Sequence, residues 1–212
     1  MTCYINTFFN EVIDKSQIKT IIELGSRGGD EAIDLSNFYI DAVVHTFECN
    51  PNILERTKKT LKDKEKILLH EVAVSDVEEE INFYPINEAN PGASSFLKPV
   101  NGTLGTDCKS LDPVVVKTVR LEDYLLKNNI HNVDMICADI QGYELKAFEG
   151  MGKIFNTVKY VIMEIPKNNP TYIDAPNRKE VMQYMNSKNL YENRGIVENA
   201  YEDNVLFVRK ND

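Results

Sequence analysis

The segment Thr20-Ile-Ile-Glu23-Leu-Gly25-Ser-Arg-Gly28-Gly29-Asp30 constrains the fold more than any other stretch of the chain. A β-branched run enters a glycine-rich turn, and a run compatible with a helix leaves it. Some 23 residues after Gly25, a second apolar run, Val43-Val-His-Thr-Phe47, ends on Glu48. This is the layout of a nucleoside-binding βαβ unit. Glycine lets the backbone pass close under the ligand, and the later carboxylate accepts hydrogen bonds from ribose hydroxyls.

The rest of the chain continues the alternation of strand-like and helix-like runs, which predicts a parallel sheet covered by helices on both faces. Parallel strands are expected near Thr20–Leu24, Val43–Phe47, Ile67–Val72, Val133–Ala138 and Val158–Glu164, each nearly continuous in apolar residues, as strands buried on both sides are. Asn50-Pro51 reads as a helix N-cap with proline in the first turn, followed by Leu54, Thr57 and Leu61 on one face. A helix near Asn177–Ser187 precedes two further runs, Leu190–Glu192 and Asn204–Arg209, that can pair as an antiparallel edge. The expectation is a Rossmann-like, mostly parallel seven-stranded sheet in one domain over 1–212, with an N-terminal helix in 1–19. The stretch 78–119 breaks the alternation: Ile81–Tyr84 and Val114–Val119 flank a loop containing Asn90-Pro-Gly-Ala-Ser-Ser95. It reads as a hairpin-like insertion whose tip forms part of an acceptor pocket.

Bulk properties narrow the partners. Lys and Arg total 24 against 33 Asp and Glu, a formal charge of −9, which opposes binding to nucleic-acid phosphates and favours a small or neutral acceptor. The lysines between Lys58 and Lys66 are interleaved with Asp63 and Glu65, as on a solvated helix face. No apolar stretch approaches the ~20 residues that span a bilayer, and Met1-Thr-Cys-Tyr-Ile lacks the pattern of a signal peptide. The four cysteines (Cys3, Cys49, Cys108, Cys137) lie far apart and suit a reducing cytoplasm, and the three histidines show no ligand spacing, so no metal site is expected.

The glycine pattern indicates which cofactor the fold holds. A dinucleotide site wants G-x-G-x-x-G, whereas here Gly25 and Gly28 flank Ser26-Arg27 and the strand carries Glu23. A carboxylate there repels a pyrophosphate and suits a cation bearing an amino group and a sulfonium, so S-adenosylmethionine is favoured over NAD. Glu48 is placed for both ribose hydroxyls. Glu71-Val-Ala73-Val74-Ser-Asp76 reads as the turn that lines the adenine. In Asp134-Met-Ile-Cys-Ala-Asp139-Ile-Gln141-Gly-Tyr-Glu144, an apolar strand delivers Asp139 to the carboxyl edge of the sheet, where open α/β folds bind ligands. Glu164 ends the next strand in the same way.

Together, and in this order, these motifs resemble the FkbM-type family of class I S-adenosylmethionine-dependent methyltransferases. The resemblance runs from Thr20 to Val208 and also includes Ser94-Ser95 and Val119-Arg-Leu-Glu-Asp-Tyr124. Two positions depart from the family pattern: Gln141 stands where glutamate is frequent, and Ser26-Arg27 where small or amide residues are. The resemblance implies O-methylation of a hydroxyl on a sugar, glycolipid or natural product. It implies a cofactor site comprising Glu23, Gly25, Ser26, Arg27 and Gly28 of the first turn, Glu48 and Cys49 of the second, then Ala73, Val74 and Asp139. Ser94, Ser95, Gln141 and Glu144 are the expected acceptor contacts. A hydroxyl acceptor profits from a general base, for which Asp139 ranks first, Glu164 second and His70 third. Two rivals stand beside this reading. One is a short NAD(P)-dependent oxidoreductase, suggested by Tyr184-x-x-x-Lys188; the other is a module that binds S-adenosylmethionine without catalysis.

Overall fold

The structure, a computed structural model, describes residues 4–167, 170–197 and 201–210. Its backbone is a seven-stranded sheet built from β1 (Thr20–Leu24), β2 (Val43–Phe47), β3 (Ile67–His70), β7 (Met135–Ala138), β8 (Tyr160–Pro166), β9 (Leu190–Val197) and β10 (Glu202–Arg209). The strand order is β3-β2-β1-β7-β8-β10-β9, parallel up to β8 and antiparallel for the last two pairings. Glu23 is level with Thr46 on one side and Cys137 on the other, so β1, β2 and β7 end together. The connection leaves β1 toward β2 and only later returns to β7, which opens a crevice above β1 where the strand order reverses.

Helices cover both faces. On one side α1 (Thr7–Asn10), α2 (Asp30–Phe38) and α3 (Leu54–Leu61) bury Phe9, Leu35 and Leu61 against Ile21, Val44 and Ile162. On the other, α4 (Leu121–Lys127), α5 (Glu144–Gly150) and α6 (Arg178–Ser187) bury Leu125, Phe148 and Met185 against Ile22, Ile136 and Val161. Because strand side chains alternate between faces, Ile21 and Ile22 serve different cores, which explains the unbroken apolar run in the sequence.

Three local expectations are corrected. The helix expected within 1–19 is one turn at Thr7–Asn10, capped by Asn6, followed by a 3₁₀ turn at Lys15–Gln17 capped by Asp14. The short polar side chains accept from backbone N–H groups and break the segment into two turns. Pro51 lies in a turn, and α3 begins only at Leu54, since the Asn50 side chain accepts from the Asn52 N–H rather than opening an α-helix. Most consequentially, Ala73–Ser75 is not a turn but a strand, β4. It pairs in parallel with β6 (Val114–Arg120), which in turn pairs antiparallel with β5 (Glu80–Phe83). The insertion is therefore hairpin-like, and its small sheet takes in the segment that follows β3.

Candidate active site

The first turn is shaped by one close approach. Gly25 has φ +90°, and a Cβ there would sit 2.1 Å from the Asp139 carbonyl oxygen, so a side chain is excluded both by conformation and by space. Its N–H and that of Ser26 both donate to the Phe47 carbonyl at 3.1 Å, fastening the turn to the end of β2. Glu23 lies beneath this turn, fully buried. The Thr46 hydroxyl donates to its Oε2, while Oε1 has no hydrogen-bond partner among the described residues. Burial pushes its carboxyl well above the usual carboxylate range. Arg27, at φ +54°, lays its exposed guanidinium over Gly92 of the insertion.

Glu48 is anchored almost entirely by backbone. Its Oε1 accepts from the N–H groups of Cys49 (2.9 Å) and Asn50 (2.7 Å), and its Oε2 from that of Arg27 (2.9 Å). Burial raises its carboxyl to about 7, against the lowering pull of those three bonds. Glu48 borders a cleft of about 630 Å³ whose walls are Gly25, Arg27, Phe47, Cys49, Ile53, Ala73, Val74, Phe83, Pro91–Phe96 in part, and Asp139. Of the expected cofactor residues, Gly25, Arg27, Glu48, Cys49, Ala73, Val74 and Asp139 thus meet in one cavity, while Glu23 lies under its floor. Ser26 and Gly28 face a neighbouring cavity outside the turn, with Arg56 and Glu88.

Asp139 stands between two spaces. It borders the cleft and also a second pocket of about 410 Å³, whose walls include Gln141, Glu144, Glu164, Thr171, Tyr172 and Glu202. Burial holds its carboxyl at about 7; the Gln141 amide pulls it down, and the charges of Glu144, Glu31 and Glu202 push it up. Glu164 borders the second pocket and not the cleft. His70, the third candidate base, is held behind Phe47 in β3, with ring nitrogens 3.0 Å from His45 and 3.2 Å from the Tyr124 hydroxyl.

The four expected acceptor contacts are occupied with holding the wall together. Ser94 Oγ donates to the Pro91 carbonyl (2.7 Å) and accepts from the Ile86 N–H and the Asn50 amide. Ser95 Oγ donates to the Gln141 carbonyl (2.9 Å) and accepts from the Leu97 N–H. Glu144 Oε1 accepts from the N–H groups of Ile140 and Gly142, closing its own turn. The Gln141 side chain donates to Asp139 and accepts from the Tyr172 hydroxyl at 2.7 Å. Nothing in Pro170-Thr-Tyr172 marks Tyr172 in the sequence, and Phe83 and Phe96 have the look of ordinary insertion core.

Comparison with known proteins decides the family: residues 13–195 match the methyltransferase FkbM domain. The chain belongs to the FkbM methyltransferase family. The cofactor of this family is S-adenosylmethionine, and the cleft suits it. Its polar walls are acidic at Glu48 and Asp139, and the first turn of α2 carries Asp30 and Glu31 where a dinucleotide fold receives pyrophosphate. A similar protein is the 2-O-methyltransferase NoeI of Sinorhizobium fredii, 25% identical over 150 residues. That alignment covers 68% of this chain and 62% of NoeI, so the chain spans less than two thirds of that relative's length. Among solved structures, the Methanococcus jannaschii fibrillarin pre-rRNA processing protein superposes with a TM-score of 0.56 at 13% identity, covering 95% of this chain and 70% of that one. Aeropyrum pernix fibrillarin with natively bound S-adenosyl-L-methionine gives 0.54 at 12%, covering 90% and 66%. These likenesses establish the shared fold. The oxidoreductase rival loses its footing as well. Tyr184 of α6 packs on Phe155, and Lys188 caps the same helix 5.5 Å from the Tyr184 ring; neither borders the cleft.

Proposed function

We propose that this methyltransferase acts on a hydroxyl oxygen of a sugar, glycolipid or natural-product acceptor, with Asp139 as general base. The observation that carries the reading is the position of Asp139 on the partition between the cleft and the acid-walled pocket. S-adenosylmethionine, when bound, supplies a methyl group already activated on a sulfonium centre, so the protein's work is positioning, exclusion of water and removal of one proton.

The residues divide that work. Gly25 brings the backbone close beneath the ligand. Phe47, Ala73 and Val74 offer an apolar seat for the adenine. Glu48 already receives two N–H bonds on Oε1 and one on Oε2, which leaves a lone pair on Oε2 for a ribose hydroxyl. The carboxylates of Glu48 and Asp139 favour a ligand that carries positive charge. Asp139 takes the acceptor's proton, and Glu164 supplies a second carboxylate on the acceptor side. The name of NoeI, a 2-O-methyltransferase, supports an oxygen acceptor.

The test begins with calorimetric titration of the purified protein with S-adenosylmethionine, S-adenosylhomocysteine and NAD⁺. Saturable binding of the first two and none of NAD⁺ is expected; binding of NAD⁺ alone would overturn the reading. Transfer of labelled methyl to neutral sugars and glycolipids then reads the acceptor. Tight cofactor binding with no transfer to any hydroxyl acceptor would leave a binding module instead.

A further inference from the structure

We infer that Tyr172 is a positioning residue which, through the side-chain amide of Gln141, sets Asp139 to take and hold the acceptor's proton. The inference rests on Asp139 as the base, and it comes from a chain of three side chains, two from one turn and the third, Tyr172, from a segment 31 residues later. The Tyr172 hydroxyl lies 2.7 Å from Gln141 Oε1 and 2.8 Å from the Ala93 carbonyl oxygen, and the other end of the Gln141 amide meets Asp139 Oδ1. Tyr172 is 4% exposed, and Gln141 is fixed at φ +56° by the Ser95 bond to its carbonyl.

The hydrogens of this chain can be counted. With Asp139 ionised, the amide donates to the carboxylate and presents Oε1 to Tyr172. The single phenolic hydrogen then faces two acceptors, Gln141 Oε1 and Ala93 O, and one of them goes short. With Asp139 protonated, a half-turn of the amide resolves the conflict. The acid O–H donates to Gln141 Oε1, the amide N–H donates to the phenolic oxygen, and the phenolic O–H donates to Ala93 O. Each hydrogen along the chain then has one acceptor, the second amide hydrogen standing outside the chain in both states. Both arrangements fit the same heavy-atom positions, since an amide's O and N exchange places without moving the rest.

The reaction drives the chain from the first state to the second. As the acceptor oxygen bonds to the methyl carbon, the carbon–sulfur bond breaks with its electron pair going to sulfur, and the acceptor's proton passes to Asp139. The relay keeps that proton from returning and at the same moment strengthens the bond from Tyr172 to the insertion at Ala93. The other titratable groups facing Asp139 are acids: Glu23 from β1, Glu31 from α2, Glu144 from α5 and Glu202 from β10, with Glu164 of β8 facing Tyr172. They favour a neutral Asp139 by charge alone, so the relay must be read as the part of the effect that depends on the phenolic oxygen.

Protein labelled with ¹³C at aspartate carboxyls and tyrosine Cζ provides the test, followed by NMR across pH 5 to 9 without acceptor, with Asp139→Asn assigning the Asp139 signal. In the wild type, the Tyr172 Cζ shift should follow the Asp139 carboxyl with one shared midpoint. Tyr172→Phe should weaken proton binding by Asp139 about tenfold, because the protonated state loses the acceptor for the amide N–H. A Tyr172 signal that stays flat through the Asp139 titration would overturn the relay, as would an unmoved midpoint in the variant. The wild-type measurement stands even if Tyr172→Phe folds poorly. A failure of the base reading looks different: Asp139→Asn would still transfer methyl groups.

Discussion

The two walls of the site are built by opposite means. Glu48, on the cofactor side, is held by backbone N–H groups one and two residues ahead of it and by Arg27 of the preceding turn. Gln141, on the side of the proposed acceptor pocket, is held by Ser95, 46 positions earlier, and by Tyr172, 31 positions later, and Tyr172 itself reaches back 79 positions to Ala93. One wall follows from local strand–turn–helix geometry; the other exists only after three separate segments have come together. The difference teaches that, on the proposed assignment, cofactor binding and acceptor handling are separable properties of this chain, with Asp139 the point at which they meet.

The most severe test of that separation is Asp139→Asn. Methyl transfer should fall about 10²–10⁴-fold, the usual range for loss of a general base, while calorimetry shows S-adenosylhomocysteine binding within a few fold of wild type. Loss of cofactor binding on the same scale as activity would break the division. The pH dependence sharpens it. As the proposed base, Asp139 acts only when ionised, and burial holds its carboxyl at about 7, so the transfer rate should rise as pH increases through about 7 and level off above it. Next in size is Gly25→Ala. A methyl group at φ +90°, aimed at the Asp139 carbonyl, should cost ~3 kcal/mol or more, lowering Tm and abolishing cofactor binding together. Glu48→Gln places an amide against three backbone donors; it should weaken S-adenosylhomocysteine about tenfold and cost ~1–3 kcal/mol in chemical denaturation. The smallest effect belongs to the bond that pins Gln141: Ser95→Ala should cost about 1–2 kcal/mol and, although Ser95 also edges the cleft, change cofactor affinity no more than about twofold. A cofactor defect in that variant would tie the two walls together after all.

The same contrast explains what the sequence disclosed. Thr20–Leu24 and Val43–Phe47 were legible to the residue because parallel strands buried on both sides leave unbroken apolar runs, and glycine marks the turn that needs it. Asp139 was legible because an acid after four apolar residues can only stand at a strand end. Ala73–Ser75 was not legible as a strand, since its partner Thr118–Arg120 lies some 45 residues downstream and no local pattern announces such a pairing. The expected acceptor contacts at Ser94 and Ser95 border the cleft, but whether a hydroxyl faces a ligand or a carbonyl depends on the tertiary neighbours it finds. Tyr172 depends on two such neighbours and left no trace.

The strand Ala73–Ser75 has one more consequence. Because it lines the cleft and also belongs to the small sheet with Val114–Arg120, the insertion is not an appendage that could be excised or exchanged with a relative's while the rest of the enzyme stays intact. Recombination at its borders would strip Ala73–Ser75 of its partner strand Val114–Arg120 and so unsettle the proposed adenine seat. Length variation is better tolerated near Gly102 and Gly105, between the bonds of Val100 and Thr103 to Thr171 and the pairing of Asn87 with Lys109, where the chain lies outside both sheets and away from the cleft walls.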